Sequence, residues 1–522
     1  MTYGHGCSRR FHLDICVLAA VYIALGVPLG IIVGAIPGLG GAMLIALSLP
    51  VSIYVGSVSG GLISAILLNM PGTPSAVMTT LDGYPVAQNG RAGRALSLGI
   101  TASIVGGLIS WIFLALLSPT LADIALKFGP YEIFSLVLMA LILIATIAEG
   151  TSLKSFLVAL FGVAIALIGT DMSPGVTRFD FGIPILAGGF PLLPVLLGVF
   201  VIAQIIDDLT KEEREIEVIS DSKLTELRPT GADLKTHGPN AVRSSLIGTW
   251  IAILPGVGST IAAIVAYTTT KSLSKKPETV DKGEEARIVA AEDSNNASVN
   301  GALSPLITLG IPGSVIDAIL IGALVIHNPQ PGPLLFQNSP EITYGVIAAA
   351  LVANLVMMVF IFAGLRPIAK IVTVPRAFLY SVIIVCRIIG TCSLGGKITD
   401  VWVMFGFGAI GYVFRNGGYP LGPFVPGCIL APLAERELRS GLMLYDRSLM
   451  PLLTRPISLV FIVLTIVLAV WPFVLARKKA KAAQPRFRQN RRFSNDGRVK
   501  TELRPTRVVI STGQAPGRGM TK

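Results

Sequence analysis

Charge is scarce in this chain. Asp, Glu, Lys and Arg make up 14% of its 522 residues, where a soluble domain carries roughly 25%. That shortage excludes a water-soluble fold of this size. Histidine is rarer still, at 4 residues, and the 5 cysteines (Cys7, Cys16, Cys386, Cys392, Cys428) lack metal, redox or disulfide-framework spacing. No zinc or haem cofactor is expected, and no metal beyond a coupling Na+. The histidines and cysteines are badly placed for a nucleophile–base pair, which argues against a membrane-embedded enzyme. Long polar stretches are few. The longest inside the body is 207–243.

What is present is apolar. Hydrophobic residues are 52%, with 55 glycines besides, and the mean hydropathy is +0.72. The sequence reads as an all-α polytopic membrane protein with about 11–13 transmembrane or re-entrant helices. The net charge of +12 sits entirely in residues 477–522, which hold 14 basic and 2 acidic side chains; the rest is neutral. The positive-inside rule places this basic, disordered tail in the cytoplasm, within reach of the lipid bilayer's anionic headgroups. It is no nucleic-acid face. Five regions follow: a polar flank (1–14), a first membrane repeat (15–206), a polar linker (207–243), a second membrane repeat (244–476) and the tail (477–522).

Four Pro-Gly breaks interrupt the apolar runs. The first half has Pro37-Gly38-Leu39-Gly40-Gly41 and Asn69-Met70-Pro71-Gly72-Thr73-Pro74. The second has Pro255-Gly256-Val257-Gly258-Ser259 and Gly310-Ile311-Pro312-Gly313-Ser314. Proline removes a backbone donor and clashes with the preceding turn. In lipid each freed backbone group costs several kcal/mol unless it is satisfied. Paired breaks in matched surroundings point to two pseudo-repeats, and discontinuous helices at a repeat interface are where transporters build their sites. The spacing between breaks grows from 34 to 57 positions, about the length of the polar insert 271–293. Inverted and parallel repeats both fit.

These residues also carry a resemblance. The breaks, with Leu81-Asp82-Gly83-Tyr84-Pro85, Gly90-Arg91-Ala92-Gly93-Arg94, Thr177-Arg178-Phe179-Asp180-Phe181-Gly182, Asn295-Asn296-Ala297 and Pro329-Gln330-Pro331-Gly332-Pro333, resemble the large membrane subunit of the tripartite tricarboxylate transporters, the TctA type. The similarity runs from about 22 to 472. It implies a permease of the bacterial inner membrane that imports tri- or dicarboxylates on a Na+ or H+ gradient. It also implies two partners, a small TctB-like membrane subunit and a TctC-like periplasmic solute-binding protein. A stand-alone carboxylate carrier or exporter is the alternative. Gln204 departs from the pattern, standing where the family is expected to have an acidic residue.

Broken helices point N–H groups and the positive dipole end at the gap, which suits a carboxylate; unwound carbonyls and hydroxyls suit a sodium ion. The substrate candidates are therefore Gly38, Gly40, Asn69, Gly72, Thr73 and Ser75, with Gly256, Gly258, Ser259, Thr260, Gly313 and Ser314. Thr79, Thr80, Asn295, Asn296 and Asp317 are coupling-ion or gate candidates, and Glu292 and Asp293 are candidate gate residues at the end of the insert. For each small residue the other reading is close helix packing. Asp317, the acidic residue well inside an apolar run, is a proton or cation site or else a side chain reaching a cavity edge. A trivalent anion enters against about 2.3 kcal/mol per charge per 100 mV, so electroneutral uptake needs three cations, and a dicarboxylate two.

Overall fold

The computed structural model describes residues 21–32, 50–147, 152–170, 176–210, 229–254, 258–274, 283–326, 332–371 and 397–470, with a few residues between 381 and 392. The flank 1–14, the break at 37–41 with Gly38 and Gly40, residues 255–257 with Gly256, residues 329–331, most of the linker and the tail lie outside them. The chain divides into two units, Met1–Ala469 and Val470–Lys522. All but one of the described residues belong to the first.

That unit is a helical assembly. In the first half α1 is Val21–Ile32, α2 Pro50–Leu68, α3 Val77–Val86, α4 Ala92–Ala125, α5 Pro130–Ile147 and α6 Ser152–Ala166. Then come α7 (Leu192–Asp207), α8 (Gly231–Ile253), α9 (Gly258–Leu273), α10 (Glu285–Leu309) and α11 (Val315–Ile326). Next are α12 (Pro340–Ile371), α13 (Ile398–Asn416), α14 (Phe424–Leu444) and α15 (Pro456–Val470). Four helical stretches are long and apolar enough to cross a membrane: Val51–Leu68, Pro74–Ala125, Pro340–Leu365 and Ile398–Asn416. The strand content among the described residues is one short hairpin, Gly169–Thr170 against Thr177–Arg178.

Local chemistry sets the ends. Pro50, Pro130 and Pro340 open their helices, where the missing N–H has no intrahelical partner to lose. Thr230 and Asp233 close a capping box over the first turn of α8. Gly310 ends α10 in the left-handed conformation at φ 69°, which only glycine adopts without strain. A π-turn at Ala87–Arg91 joins α3 to α4.

The centre is α10. It packs on α4, α8 and α9, while α2 packs on α12. Every residue from Arg287 to Thr308 is buried. Small residues permit this: a Cβ on Gly106 would fall 2.2 Å from the Asp293 carbonyl oxygen, and one on Gly248 2.5 Å from that of Ser294. The outer helices use the same device. Gly162 and Gly427 meet where α6 crosses α14, and Gly198, Gly408 and Gly411 line the crossing of α7 and α13.

Several expectations change. Asp82-Gly83-Tyr84-Pro85 belongs to α3, not to a connecting loop. The linker 207–243 is helical at both ends, up to Thr210 and from Gly231. The described ends of the insert 271–293 are helical as well, ending α9 and beginning α10. The stretch 421–432 runs into α14. Arg178 pairs with Glu435, at 2.7 and 3.1 Å, and not with Asp180. Gln204 accepts from Arg415, whose carboxylate partner is Asp207 at 2.9 Å. An acidic group at position 204 is thus not needed to hold Arg415.

Candidate functional site

The described parts of three breaks, at 69–74, at Gly258 and at 310–314, meet in space. After α2 the chain turns through Asn69, an exposed residue in the left-handed region at φ 53°. It then folds back, so that the Gly72 N–H donates to the Gly61 carbonyl at 3.3 Å. Gly61 must be glycine, because its Cβ would lie 2.6 Å from the Thr73 hydroxyl. The buried hydroxyls of Thr73 and Ser75 lie 3.2 Å apart. The short helix Pro74–Ala76 packs against α9, the helix that begins at Gly258 with φ 69°. A Cβ added to Gly258 would in turn lie 3.7 Å from the Gly313 carbonyl oxygen and 3.9 Å from the Ser314 Cβ. Ser314 shares a 3.3 Å hydrogen bond with the phenol of Tyr54 on α2.

Asp317 is fully buried in this region. Neither of its carboxylate oxygens is hydrogen-bonded, and the Tyr54 and Ser314 hydroxyls stand beside it. Gly72, Thr73, Ser75, Gly258, Gly313, Ser314 and Asp317 thus belong to one neighbourhood, with Ser259 and Thr260 half-buried in the first turn of α9. The groups it offers are N–H ends, hydroxyls and a lone carboxylate, a set that can bind a carboxylate and a cation together.

The other candidates lie elsewhere on α10. Thr79 donates to Glu292, and the Asn295 amide approaches the same carboxylate at 3.5 Å. Asp293 accepts from Ser245 at 2.5 Å, while its second oxygen has no partner. Asn296 faces away, bonded to the Ser103 carbonyl at 2.6 Å, to Ser59 at 3.1 Å and to Asn354 at 3.4 Å. Thr80 bonds its own helix, at the Val77 carbonyl. Asp317 is therefore not the lone buried acid: Glu292 and Asp293 are equally buried, two turns into α10 rather than at the rim of an insert.

Two networks were not foreseen. Asp82, fully buried, accepts from the backbone N–H groups of Gly283 and Glu284 at 3.0 and 2.9 Å and from Tyr267 at 2.7 Å. It also faces Arg287 at 3.6 Å, and that buried guanidinium reaches Glu284 at 2.6 Å. Nearby, Arg94 forks onto Asp233 at 2.6 and 2.5 Å and reaches Glu285 at 3.0 Å. Arg94 holds Asp233 well below the usual carboxylate range. His237 and then Arg94 bring Glu285 down to about 2. These clusters tie the amino-terminal ends of α4, α8 and α10 together. The signal available in sequence was a run without glycine or proline from 285 to 300. Its polarity marks its first part only as an insert.

A helical membrane assembly with carboxylates sealed inside it, and with broken helices converging on one of them, is the architecture of a transporter. The chain belongs to the Tripartite tricarboxylate transporter TctA family, whose pattern it matches over residues 20–426. It is accordingly a component of such a transporter and not an enzyme. One relative is the Agrobacterium vitis "Uncharacterized 52.8 kDa protein in TAR-I ttuC' 3'region", 31% identical over 86% of this chain and 92% of its own. Another, the same organism's "Uncharacterized protein in TAR-II ttuC' 3'region", is 28% identical over 44% of this chain and 97% of its own. No solved structure matches.

Proposed function

We propose that the chain is the large permease subunit of a binding-protein-dependent secondary transporter. It imports tri- or dicarboxylates across the bacterial inner membrane, driven by Na+ or H+. It works with a small membrane subunit and a periplasmic binding protein, and its basic tail is cytoplasmic. Family membership supports the class. The observation that carries the site is the meeting of the Gly258 and Gly313–Ser314 breaks beside Tyr54 and the unpartnered Asp317. Thr73, Ser75, Ser259, Thr260 and Ser314 supply the hydroxyls there. Gly38, Gly40 and Gly256 belong to the same proposal through their breaks, and Asn69 through the α2 cap.

The test is uptake of radiolabelled di- and tricarboxylates into proteoliposomes, with the chain alone and with the products of its genomic neighbours, under imposed Na+ or H+ gradients. Gradient-driven uptake that requires the binding protein is expected. Asp317→Asn is expected to abolish coupled uptake while the protein remains folded. Uptake by the chain alone would favour the stand-alone carrier. Absence of uptake under either gradient would remove the reading.

A further inference from the structure

One buried site lies apart from the breaks. Glu292 is sealed between α3, α4 and α10 and is fully buried. A Cβ on Gly99 would touch it at 3.6 Å, beside Leu62 and Ile288. Among the described residues no basic side chain pairs with it: Arg287, one turn earlier, is engaged by Asp82 and Glu284. An ionised carboxylate without a counter-charge is costly in such surroundings. Neutral polar groups converge on it instead. Thr79 donates to one carboxylate oxygen. Asn295 approaches the other with its amide nitrogen, and its Oδ1 has no partner. The Ser103 hydroxyl stands beside the same carboxylate without reaching full hydrogen-bond geometry. All four residues are buried.

We propose that Glu292, Thr79, Asn295 and Ser103 form a binding site for one sodium ion. The donor set is oxygen only, which selects a hard cation over zinc or copper. It holds a single carboxylate, so a monovalent ion leaves the site neutral, whereas a divalent ion would leave an uncompensated charge in a low-dielectric interior. The two unpartnered oxygens are the lone pairs that an ion would take. The site also stands apart from the breaks. Gly313 packs on Ala302, and Glu292 lies ten residues earlier, about 15 Å along the helix at 1.5 Å per residue. It joins first-half helices to the second-half core, so occupancy bears on how the halves meet. This inference rests on the transporter reading and assigns its coupling ion to sodium.

The test is equilibrium binding of 22Na+ to the purified full chain in detergent. Saturable binding is expected in the wild type and is lost in Glu292→Gln, which keeps the shape and removes the charge. Thr79→Val and Ser103→Ala are each expected to raise the half-saturating Na+ concentration by about tenfold, with thermal stability reporting folding. Binding unchanged in Glu292→Gln and Thr79→Val would overturn the site. So would a wild type that binds no Na+ yet takes up carboxylate on a proton gradient. That last result would leave the transporter reading standing, whereas no uptake on any gradient would remove the reading itself.

Discussion

The helices α2 and α10 sit at matching places and end alike. Each is buried over most of its length. Each stops at a left-handed residue two positions before a Pro-Gly: Asn69 with φ 53° and Gly310 with φ 69°. Aligned from those caps, Thr73 stands opposite Ser314, Ser52 opposite Asp293, Val51 opposite Glu292, Tyr54 opposite Asn295 and Ser59 opposite Asn300. The neighbours match too. Gly30 approaches the Ile53 backbone as Gly248 approaches that of Ser294, each within 2.6 Å for an added Cβ. The scaffold is thus shared while the chemistry is not. One helix carries hydroxyls and no charge; the other carries three carboxylates and three asparagines besides its own hydroxyls. Packing of small residues tolerates either set, so ionic function could be placed on one helix alone.

The comparison can be broken hardest at the backbone. Gly106→Ala presses a methyl group onto the Asp293 carbonyl, an atom that cannot rotate away. A loss of about 3 kcal/mol is expected, read as a lower melting temperature in detergent. Gly182→Ala, with open space around the added carbon but φ 74°, loses only about 1 kcal/mol. Equal losses would show that packing on α10 is not the constraint.

Next in size is Arg94→Gln, which strands Asp233 and Glu285. About 2 kcal/mol is expected, below the figure for a fully buried pair because water reaches these side chains. The pH dependence follows. Both carboxylates have lowered folded pKa values, so their stabilisation is present above the unfolded values near 4. It is lost as pH falls towards the folded value of about 2 for Glu285. Wild-type stability should fall across that window, and the slope should flatten in Arg94→Gln. An unchanged slope would remove the cluster from the account.

Asn296→Ala tests the asymmetry directly. It leaves the Ser103 carbonyl and Asn354 without their partner and should cost about 1–3 kcal/mol. Ser57→Ala, removing one hydroxyl bonded to its own helix at the Tyr54 carbonyl, should cost well under 1 kcal/mol. The smallest effects are at the caps. Asn69→Gly should stabilise by a few tenths of a kcal/mol and Gly310→Ala should destabilise by about 1 kcal/mol. The same sign at both caps would deny their likeness.

Much of this was legible from composition and order. The membrane class, the positions of the Pro-Gly steps and the family resemblance all rest on which residues occur in which run. Lipid leaves few ways to satisfy a backbone, so apolar length and Pro-Gly steps speak plainly. What sequence misread were the polar segments. Residues 285–304 have the composition of a solvated loop, and so do Asp82-Gly83-Tyr84-Pro85 and 231–243. Only the fold supplies the Arg94, Arg287 and Ser245 that let them be buried. Polarity in a membrane protein marks either water or the interior, and a single sequence does not distinguish them. The sequence by itself determined a helical transporter chain with interrupted helices. Tertiary structure alone decided that Glu292, Asp293 and Asp317 are sealed inside, and which breaks meet. A side chain's partners across 200 residues are set by packing, and packing leaves no local trace.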